Sequence, residues 1–358
     1  MNAPVSPQNI FPSNAGRFFE DFQVGIVINH ATPRTLTTGD VALYNALFGA
    51  RFAVQSADPF AKAIGYERSP IDDLLVFHTV FGKTVSDISL NAVANLGYAD
   101  VRFLKPVYTG DTLTAKSEVI GIKENTSKTT GVVYVRSQGF NQRDECVLDY
   151  VRWVMVNKKD HASPAPEPVV PTLPESVLPE HLGAACPVIS SEHYNRVLAG
   201  SARVFADYHV GEKIDHMDGI TIEEAEHQMA TRLYQNTARI HFDAHMTKKT
   251  RFGKRLIYGG HVISTTRALS YNGLQNAFHV CAINAGRHVN PLFAGDTIYA
   301  WSEIIAKASV PNRDDVGALR VRTLATRDYT CENFPDKEAG QYPAHILLDL
   351  DYWVLMVK

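Results

Sequence analysis

The chain has 358 residues, of which 45% are hydrophobic and 20% charged, and its formal net charge is −3. This length favours two domains of roughly 150 residues, and the composition is that of a folded globular protein, not a disordered or fibrous one. Because acidic and basic residues are intermixed and no apolar run approaches the roughly 18 residues of a membrane span, neither nucleic acid nor a membrane is an expected partner.

The chain begins with MNAPVSPQNIFPSNAG, which lacks the basic stretch and apolar core of a secretory signal. We expect residues 1–15 to be a flexible tail. The four cysteines are far apart, with no Cys-x-x-Cys motif and no Cys–His pairing. They predict reduced thiols in a cytoplasmic protein, with no disulfide framework and no zinc site.

The sequence repeats itself at an offset near 186 residues. The matched blocks are GRFFEDFQVG (16–25) with ARVFADYHVG (202–211), FLKPVYTGDTLTAKSEVI (103–120) with HVNPLFAGDTIYAWSEII (288–305), and LDYVRWVMVNK (148–158) with LDLDYWVLMVK (348–358). The last offset is nearer 200, which places an insertion in the second copy at 326–345. Blocks that match in the same order predict two tandem copies of one domain.

In each copy a strongly apolar helix precedes strand-like segments. The first copy has a predicted helix at 71–88 and predicted strands at 112–124, 128–142 and 146–157, rich in β-branched and aromatic residues. The second copy has the corresponding helix at 261–277. The predicted fold class is α+β, with a curved antiparallel sheet wrapped around a long buried helix in each copy. Two such sheets placed edge to edge would form one continuous sheet and cover an exposed edge on each.

Between the copies, residues 160–187 hold seven of the 18 prolines. Because proline cannot donate a ladder hydrogen bond or continue a helix, we expect an extended linker that does not pair into a sheet. The predicted organisation is therefore a first domain at 16–159, a linker at 160–190 and a second domain at 191–358.

The segment 234–262 of the second copy is the richest in candidate chemistry. It places Asn236, His241 and Asp243 in a predicted polar loop, and Gly259 and Gly260 at the start of the apolar helix. Free N–H groups at a helix N-terminus can bind an oxyanion, and a histidine beside an amide or carboxylate can activate water near neutral pH. The alternatives are a surface histidine, a glycine turn needed only for packing, and an aspartate that only begins a helix.

These motifs resemble a known family. FFEDFQVG near a domain start, Asn236 five residues before His241, the glycine at the helix start and NPLFAGDTI resemble the MaoC-type (R)-specific enoyl-CoA hydratases of the hot-dog fold. The resemblance implies a tandem double hot-dog in which His241 is the catalytic histidine and Gly260 the glycine whose N–H polarises the thioester carbonyl. Asn236 stands at the family's catalytic aspartate and Gly259 at the histidine of a His-Gly pair. An amide can orient water but cannot accept its proton.

The first copy departs further from this pattern. Its loop at 49–61 aligns Arg51 with Asn236 and Ser56 with His241, while Asp73 and Leu74 replace the His-Gly pair. We therefore expect the first copy to be non-catalytic and to contribute part of the pocket.

Over nearly all of both copies the chain resembles the double hot-dog mesaconyl-CoA hydratases, also called 2-methylfumaryl-CoA hydratases. The segments that carry this resemblance include RTLTTGDVALYNALFGARFAVQSADPFAK (34–62) and ATRLYQNTARIHFDAHM (230–246). It implies reversible hydration of mesaconyl-CoA to β-methylmalyl-CoA in the ethylmalonyl-CoA pathway. It also implies an acyl-CoA substrate, no separate cofactor or metal, and a cytoplasmic homodimer.

Under this interpretation the N–H of Gly260 stabilises the enolate oxygen, and His241 acts as general base on a water that Asn236 also holds. The second acid/base group stays open among three carboxylates, Asp72, Asp73 and Asp243.

The free carboxylate of such a substrate requires a cation in the pocket, because a buried charge without a partner is very costly. Arg51 and Arg239 are the candidates, and each could instead be a surface ion-pair residue. Together with Asp73 and Gly259 they form the predicted substrate-binding set.

Three other functions stay open at this point. A hot-dog acyl-CoA thioesterase would use a similar helix N-terminus but release free CoA. An (R)-specific fatty enoyl-CoA hydratase would turn over crotonyl-CoA as well as mesaconyl-CoA. A non-catalytic acyl-CoA-binding module would do neither.

Overall fold

A computed structural model describes residues 15–358, so that all but the last residue of the predicted tail at 1–15 lies outside the described residues. The strands are β1 (Val27–Thr35), β2 (Ala92–Phe103), β3 (Thr112–Glu124), β4 (Thr130–Phe140), β5 (Cys146–Asn157), β6 (Lys213–Asp215), β7 (Ile220–Thr221), β8 (His279–His288), β9 (Thr297–Ser309), β10 (Val316–Arg327) and β11 (Ile346–Val357). The α-helices are α1 (Thr38–Phe48), α2 (Ala53–Ser56), α3 (Asp58–Ile64), α4 (Asp73–Thr84), α5 (Arg196–Ala199), α6 (Glu224–Leu233), α7 (Arg239–Phe242), α8 (Ala244–Thr247), α9 (Gly259–Leu269) and α10 (Tyr271–Leu274).

These strands form one antiparallel sheet in the order β1-β3-β4-β5-β2-β8-β11-β10-β9-β6, with β7 also paired to β9. Counterpart strands of the two copies occupy equivalent places on either side of the centre of the sheet. From the centre outward, the counterparts are β2 and β8, β5 and β11, β4 and β10, and β3 and β9. The copies join where β2 pairs with β8, with Tyr98 opposite Gly286 and Arg102 opposite Ala282. The predicted α+β class is confirmed, and so is the continuous sheet. An antiparallel junction between equivalent strands also relates the copies by an approximate two-fold axis.

The predicted apolar helices are α4 and α9, and both are buried. Every residue of α4 from Leu74 to Thr84, and every residue of α9 from Gly260 to Leu269, is shielded from solvent. A helix that is buried on every side needs neighbouring elements on every side. The sheet covers one side, and a single hydrophobic cluster that includes Phe77, Val80, Ile263 and Leu269 joins the helices of both copies. Residues on α4 can therefore contribute to a site in the second copy.

The boundaries of these elements differ from the expectation in detail. Helix α4 ends at Thr84 and continues into a wider π-helical turn at Val85–Ser89. The helix predicted at 261–277 is α9, which starts two residues earlier and is followed by α10, where Asn272 and Gly273 are not helical. The predicted insertion at 326–345 is mainly the irregular connection between β10 and β11.

The expectation that the linker pairs with no strand is wrong at Val169. Its N–H and carbonyl bond with the carbonyl and N–H of Ile122 in β3, at 2.8 and 2.9 Å. The reason is local, because Val169 is not a proline and keeps its donor, while Gly121 leaves room for the approaching backbone. Further along, the N–H of Val177 donates to Asn284 Oδ1 of the second copy at 2.8 Å.

Candidate active site

His241 is held in a form that suits a general base. It lies on α7, where its ring is buried and Nδ1 is 2.8 Å from the carbonyl oxygen of Leu256. Because a carbonyl oxygen only accepts, Nδ1 carries the proton, and neutral His241 presents the lone pair of Nε2. Burial lowers the pKa of His241 to about 4. The ring is therefore neutral at pH 7 and able to accept a proton.

Asn236 is held in a tight turn before α7. Its Oδ1 accepts the N–H of Ala238 at 2.9 Å, and its own N–H donates to the carbonyl of Thr231 at 3.1 Å. The side chain is 2% exposed and lines a cavity of about 500 Å³ between the two copies. The predicted polar loop is thus an ordered turn followed by the short helices α7 and α8.

The turn that carries Asn236 is docked on α4 of the first copy, at Gly82. A Cβ on Gly82 would lie 2.9 Å from the carbonyl carbon of Tyr234, closer still to its oxygen, and 3.2 Å from the backbone nitrogen of Asn236. No larger residue fits there without moving the turn. The position of Asn236 therefore depends on a glycine of the other copy.

The first N–H groups of α9 are not capped by the side chain that precedes the helix. Tyr258 precedes the helix and its side chain makes no capping hydrogen bond. The first N–H groups of a helix lack intrahelical acceptors, and the helix dipole favours negative charge beside them. The N–H of Gly260 is one of these donors.

The two glycines at this helix start also give space to two imidazole rings. A Cβ on Gly260 would lie 2.7 Å from Nδ1 of His78, which belongs to α4 of the first copy. A Cβ on Gly259 would lie 2.5 Å from the ring of His288, the last residue of β8. Glycine at 259 and 260 is therefore needed for packing as well as for access by a ligand.

Tyr258 connects the helix start to His241. Its ring centroid is 5.4 Å from that of His241, and its N–H donates to Nε2 of His227 at 2.9 Å. Burial lowers the pKa of His227 to about 2, which keeps Nε2 able to accept. His227 thus fixes the backbone immediately before Gly259.

Several buried polar atoms near this junction have no hydrogen-bond partner among residues 15–358. They are both ring nitrogens of His78 and the hydroxyls of Tyr234 and Tyr258. The ring of His78 is 4.9 Å from that of Tyr234 and 5.9 Å from that of Tyr258. Buried polar groups are nearly always satisfied in folded proteins. These atoms are therefore suited to binding a polar ligand.

The equivalent helix start in the first copy is closed. There the Oδ1 of Asp72 accepts the N–H of Leu74, the residue aligned with Gly260, at 2.9 Å. Ser56, aligned with His241, is exposed. A carboxylate already holds the donor that an oxyanion would need, and no base replaces the histidine. This geometry supports the prediction that the first copy is non-catalytic.

Arg51 does not lie at the site of the second copy, which corrects the prediction. Its guanidinium donates to Asn272 Oδ1 at 2.8 Å and lies 4.4 Å above the ring of Tyr271. Both residues follow the C-terminal end of α9, whereas Gly260 lies at its start. The helix between them has 11 residues, which is about 16 Å. The two copies are related by a two-fold axis. A residue of the first copy that aligns in sequence with a site residue of the second copy therefore lies at a different place in the structure.

Asp73 is also far from Gly260, because it too belongs to the first copy and the two-fold axis places it away from the second-copy site. Its carboxylate accepts from Nδ1 of His279 at 2.8 Å and from the N–H of Val280 at 2.9 Å, at the first residues of β8. His288, which touches Gly259, is the last residue of that strand. The two ends of the ten-residue strand β8 are roughly 30 Å apart. This position argues against Asp73 as the second acid/base group, and a role for Asp72, which caps α4, stays a prediction.

Asp243 and Arg239 lie close to His241 in the chain but on the surface. Asp243 is exposed and caps α8, accepting the N–H of Met246 at 2.8 Å. Arg239 is exposed and begins α7. The role of each in substrate binding or catalysis stays a prediction.

The residues missed from the sequence are those that other elements bring to the site, namely His78, Gly82 and Lys83 of α4 and His288 of β8. One signal was available, because an isolated glycine inside a strongly apolar helix indicates close approach by another part of the chain. Gly82 is such a residue.

Within residues 15–358, no helix is long and apolar enough to cross a membrane, and no group of three or more His, Cys, Asp or Glu side chains is arranged to hold a metal ion. The four cysteines are free thiols.

Comparison with known proteins agrees with these features. Residues 11–166 match the family described as mesaconyl-CoA hydratase, and residues 205–324 match the family described as MaoC-like domain. The chain is 61% identical to a beta-methylmalyl-CoA dehydratase from Chloroflexus aurantiacus, covering 97% of this chain and 98% of the relative. It is 56% identical to a mesaconyl-CoA hydratase from Cereibacter sphaeroides, covering 97% and 99%.

Solved structures show the same architecture. A MaoC domain protein dehydratase from Chloroflexus aurantiacus superposes with a TM-score of 0.96 at 60% identity, covering 98% of this chain and 99% of that one. A conserved hypothetical protein from Mycobacterium tuberculosis, described as having a double hotdog fold, superposes with a TM-score of 0.72 at 24% identity, covering 95% and 98%. The predicted tandem double hot-dog is confirmed.

Proposed function

The chain belongs to the mesaconyl-CoA hydratase family, and we propose that its second copy holds the active site for reversible hydration of mesaconyl-CoA to β-methylmalyl-CoA. One observation carries the placement of the site. The ring of His241, with its base-competent Nε2, lies 5.4 Å from the ring of Tyr258, the residue that directly precedes the uncapped start of α9, whereas the equivalent helix start in the first copy is closed by Asp72. The chain is therefore a hydro-lyase that acts on a CoA thioester.

The start of α9 stabilises the charge that develops during the reaction. When water adds to the β-carbon of the enoyl thioester, the electron pair of the double bond moves toward the carbonyl oxygen and forms an enolate. The N–H of Gly260 donates to this oxygen, and the dipole of α9 favours its negative charge. One such donor contributes about 3–4 kcal/mol to lowering the barrier.

His241 and Asn236 handle the water. Nε2 of His241 accepts a proton from the water as its oxygen bonds to the β-carbon. The amide of Asn236 orients the water but takes no proton, because an amide is neutral and very weakly basic. The protonated His241 then returns a proton to the α-carbon, which completes the addition. Dehydration follows the same steps in reverse.

The direct test is the hydration of mesaconyl-CoA by the His241→Ala and Asn236→Ala variants, followed by loss of enoyl absorbance. We expect His241→Ala to lose about 10²–10⁴-fold in kcat, the usual contribution of a general base. Asn236→Ala should lose less, because the amide only positions the water. Wild-type activity in His241→Ala would exclude this mechanism.

Two controls separate the rival functions. Hydration releases no free CoA, so a thiol-specific reagent should detect none, whereas a thioesterase would release one thiol per turnover. Crotonyl-CoA lacks the second carboxylate, and turnover as fast as that of mesaconyl-CoA would favour an (R)-specific fatty enoyl-CoA hydratase.

We further propose that the protein is a homodimer located in the cytoplasm, with a role in the ethylmalonyl-CoA pathway. Sedimentation equilibrium tests the first point, since a dimer has twice the chain mass of 39.6 kDa.

A further inference from the structure

The cavity beside Asn236 is lined by both copies. The second copy contributes Arg232, Gln235 and Asn236, and the first copy contributes Lys83 and Ser86. Its volume of about 500 Å³ lies within the usual range for a small-molecule site. Neither His241 nor Gly260 is among the residues that line it, so that Asn236 is the residue through which the cavity adjoins the proposed catalytic groups.

Lys83 is the buried cation of this cavity. Its side chain is 4% exposed, and Nζ donates to the carbonyl oxygen of Thr32 and to Oε1 of Gln235, the latter at 3.2 Å. Both acceptors are neutral. Among residues 15–358, no Asp or Glu oxygen lies within ion-pair distance of Nζ. An ammonium group has three donors, so that one stays available to a ligand.

A buried ammonium without an anionic partner is costly, and this cost favours binding of an anion. Burial lowers the pKa of Lys83 to about 8, and the charge of Arg34 acts in the same direction. Arg34 itself is paired with Asp40 at 2.5 Å. Arg232, at the exposed rim, adds a second positive charge and leaves the cavity electropositive.

The position of Lys83 fits the chemistry of the substrate. In β-methylmalyl-CoA the hydroxyl group and the free carboxylate are on the same carbon. The group that binds this carboxylate must therefore lie close to the attacking water. Lys83 lines the same cavity as Asn236, whereas Arg51 lies beyond the other end of α9.

We propose that Lys83 of the first copy binds the free carboxylate of the substrate and so selects dicarboxylic acyl-CoA thioesters over monocarboxylic ones. This inference rests on the proposed function. The same cation chemistry could serve a phosphate of CoA, and the experiment below distinguishes the two anions.

The test measures binding of two unreactive thioesters by calorimetry. 2-Methylsuccinyl-CoA carries the free carboxylate, and 2-methylbutyryl-CoA has a methyl group in its place. We expect Lys83→Met to weaken 2-methylsuccinyl-CoA about 10–100-fold, the usual range for a hydrogen bond to a charged group, and to leave 2-methylbutyryl-CoA within about twofold. Lys83→Arg should retain part of the preference, which separates loss of charge from loss of packing.

Lys307→Met is the matched control. Lys307 is half-buried and, like Lys83, donates to a backbone carbonyl, that of Tyr208 at 2.7 Å, but it lies on β9 away from the cavity. The Lys307→Met variant should bind both thioesters like the wild type. Thermal melts establish that every variant is folded.

If Lys83→Met weakens the binding of both thioesters and of CoA alone equally, Lys83 binds a CoA phosphate and the proposal is overturned. Unchanged binding of both thioesters would also overturn it. Absence of mesaconyl-CoA hydration by the wild-type protein would instead contradict the proposed function and leave the binding result to be judged separately.

Discussion

Replacement of Gly82 by alanine should slow hydration although Gly82 touches no reacting atom. The added Cβ would lie 2.9 Å from the carbonyl carbon of Tyr234, closer still to its oxygen, and 3.2 Å from the nitrogen of Asn236. These are backbone atoms, which cannot rotate away as a side chain can. Restoring ordinary contact distances requires the turn to move by more than about 1 Å, and a misplacement of about 1 Å already costs on the order of 10²-fold in rate.

The effect on stability is smaller. Overpacking of this kind costs about 1–3 kcal/mol, while alanine in a helix interior is about 1 kcal/mol better than glycine. The net loss should be about 0–2 kcal/mol, so that the variant stays folded at 25 °C. The assay is loss of enoyl absorbance with mesaconyl-CoA, together with thermal unfolding.

Gly39→Ala is the matched control, because a Cβ there meets only Thr37 Oγ1 at an ordinary 3.5 Å. It should keep the wild-type rate and gain up to about 1 kcal/mol in stability. If Gly82→Ala is folded and hydrates mesaconyl-CoA at the wild-type rate, the turn that holds Asn236 does not depend on α4.

Three further predictions concern the helix start, the arginine and the base. Gly260→Ala should lose about 10²–10³-fold in kcat, because the new Cβ meets His78 Nδ1 at 2.7 Å and shifts the oxyanion donor; a loss below tenfold in steady-state kinetics would refute this. Arg51→Ala should keep kcat/KM for mesaconyl-CoA within about threefold and cost at most about 1 kcal/mol in urea unfolding, because Arg51 is exposed and loses one hydrogen bond and one cation–π contact; a 100-fold loss of activity would restore Arg51 to the site. The pH profile of kcat/KM should be level near neutrality and fall as the pH drops through about 4, because the neutral form of His241 is the base and burial lowers its pKa to about 4; an acid limb near pH 6.5 would indicate a solvated histidine.

The fold could be predicted from the sequence because the duplication restricts it strongly. Once two copies are recognised, the helix-then-strands pattern of each and the need to cover a sheet edge lead to one continuous sheet. The sequence did not predict which strands meet at its centre, and these are β2 and β8. Short backbone interactions were not predictable in this way. Val169 pairs with Ile122 because of a local gap at Gly121 that no composition rule describes.

The site was predictable where its residues are close in sequence. Asn236, His241 and Gly260 lie on one stretch of chain, and the ring of His241 lies 5.4 Å from that of Tyr258 just before Gly260. Alignment of the repeats misassigned Arg51. Arg51 is the first-copy equivalent of a second-copy site residue, and the two-fold axis places it at the other end of α9. Lys83 reaches the site from α4 of the other copy, and this depends on helix packing that one sequence does not reveal.

The central claim is that one copy carries the chemistry and the other completes its pocket. The most direct measurement compares His241→Ala with Ser56→Ala, its counterpart in the first copy, in the rate of mesaconyl-CoA hydration. We predict a loss of at least about 10²-fold for His241→Ala and no loss for Ser56→Ala. Equal losses in the two variants, or a wild-type rate in His241→Ala, would contradict it.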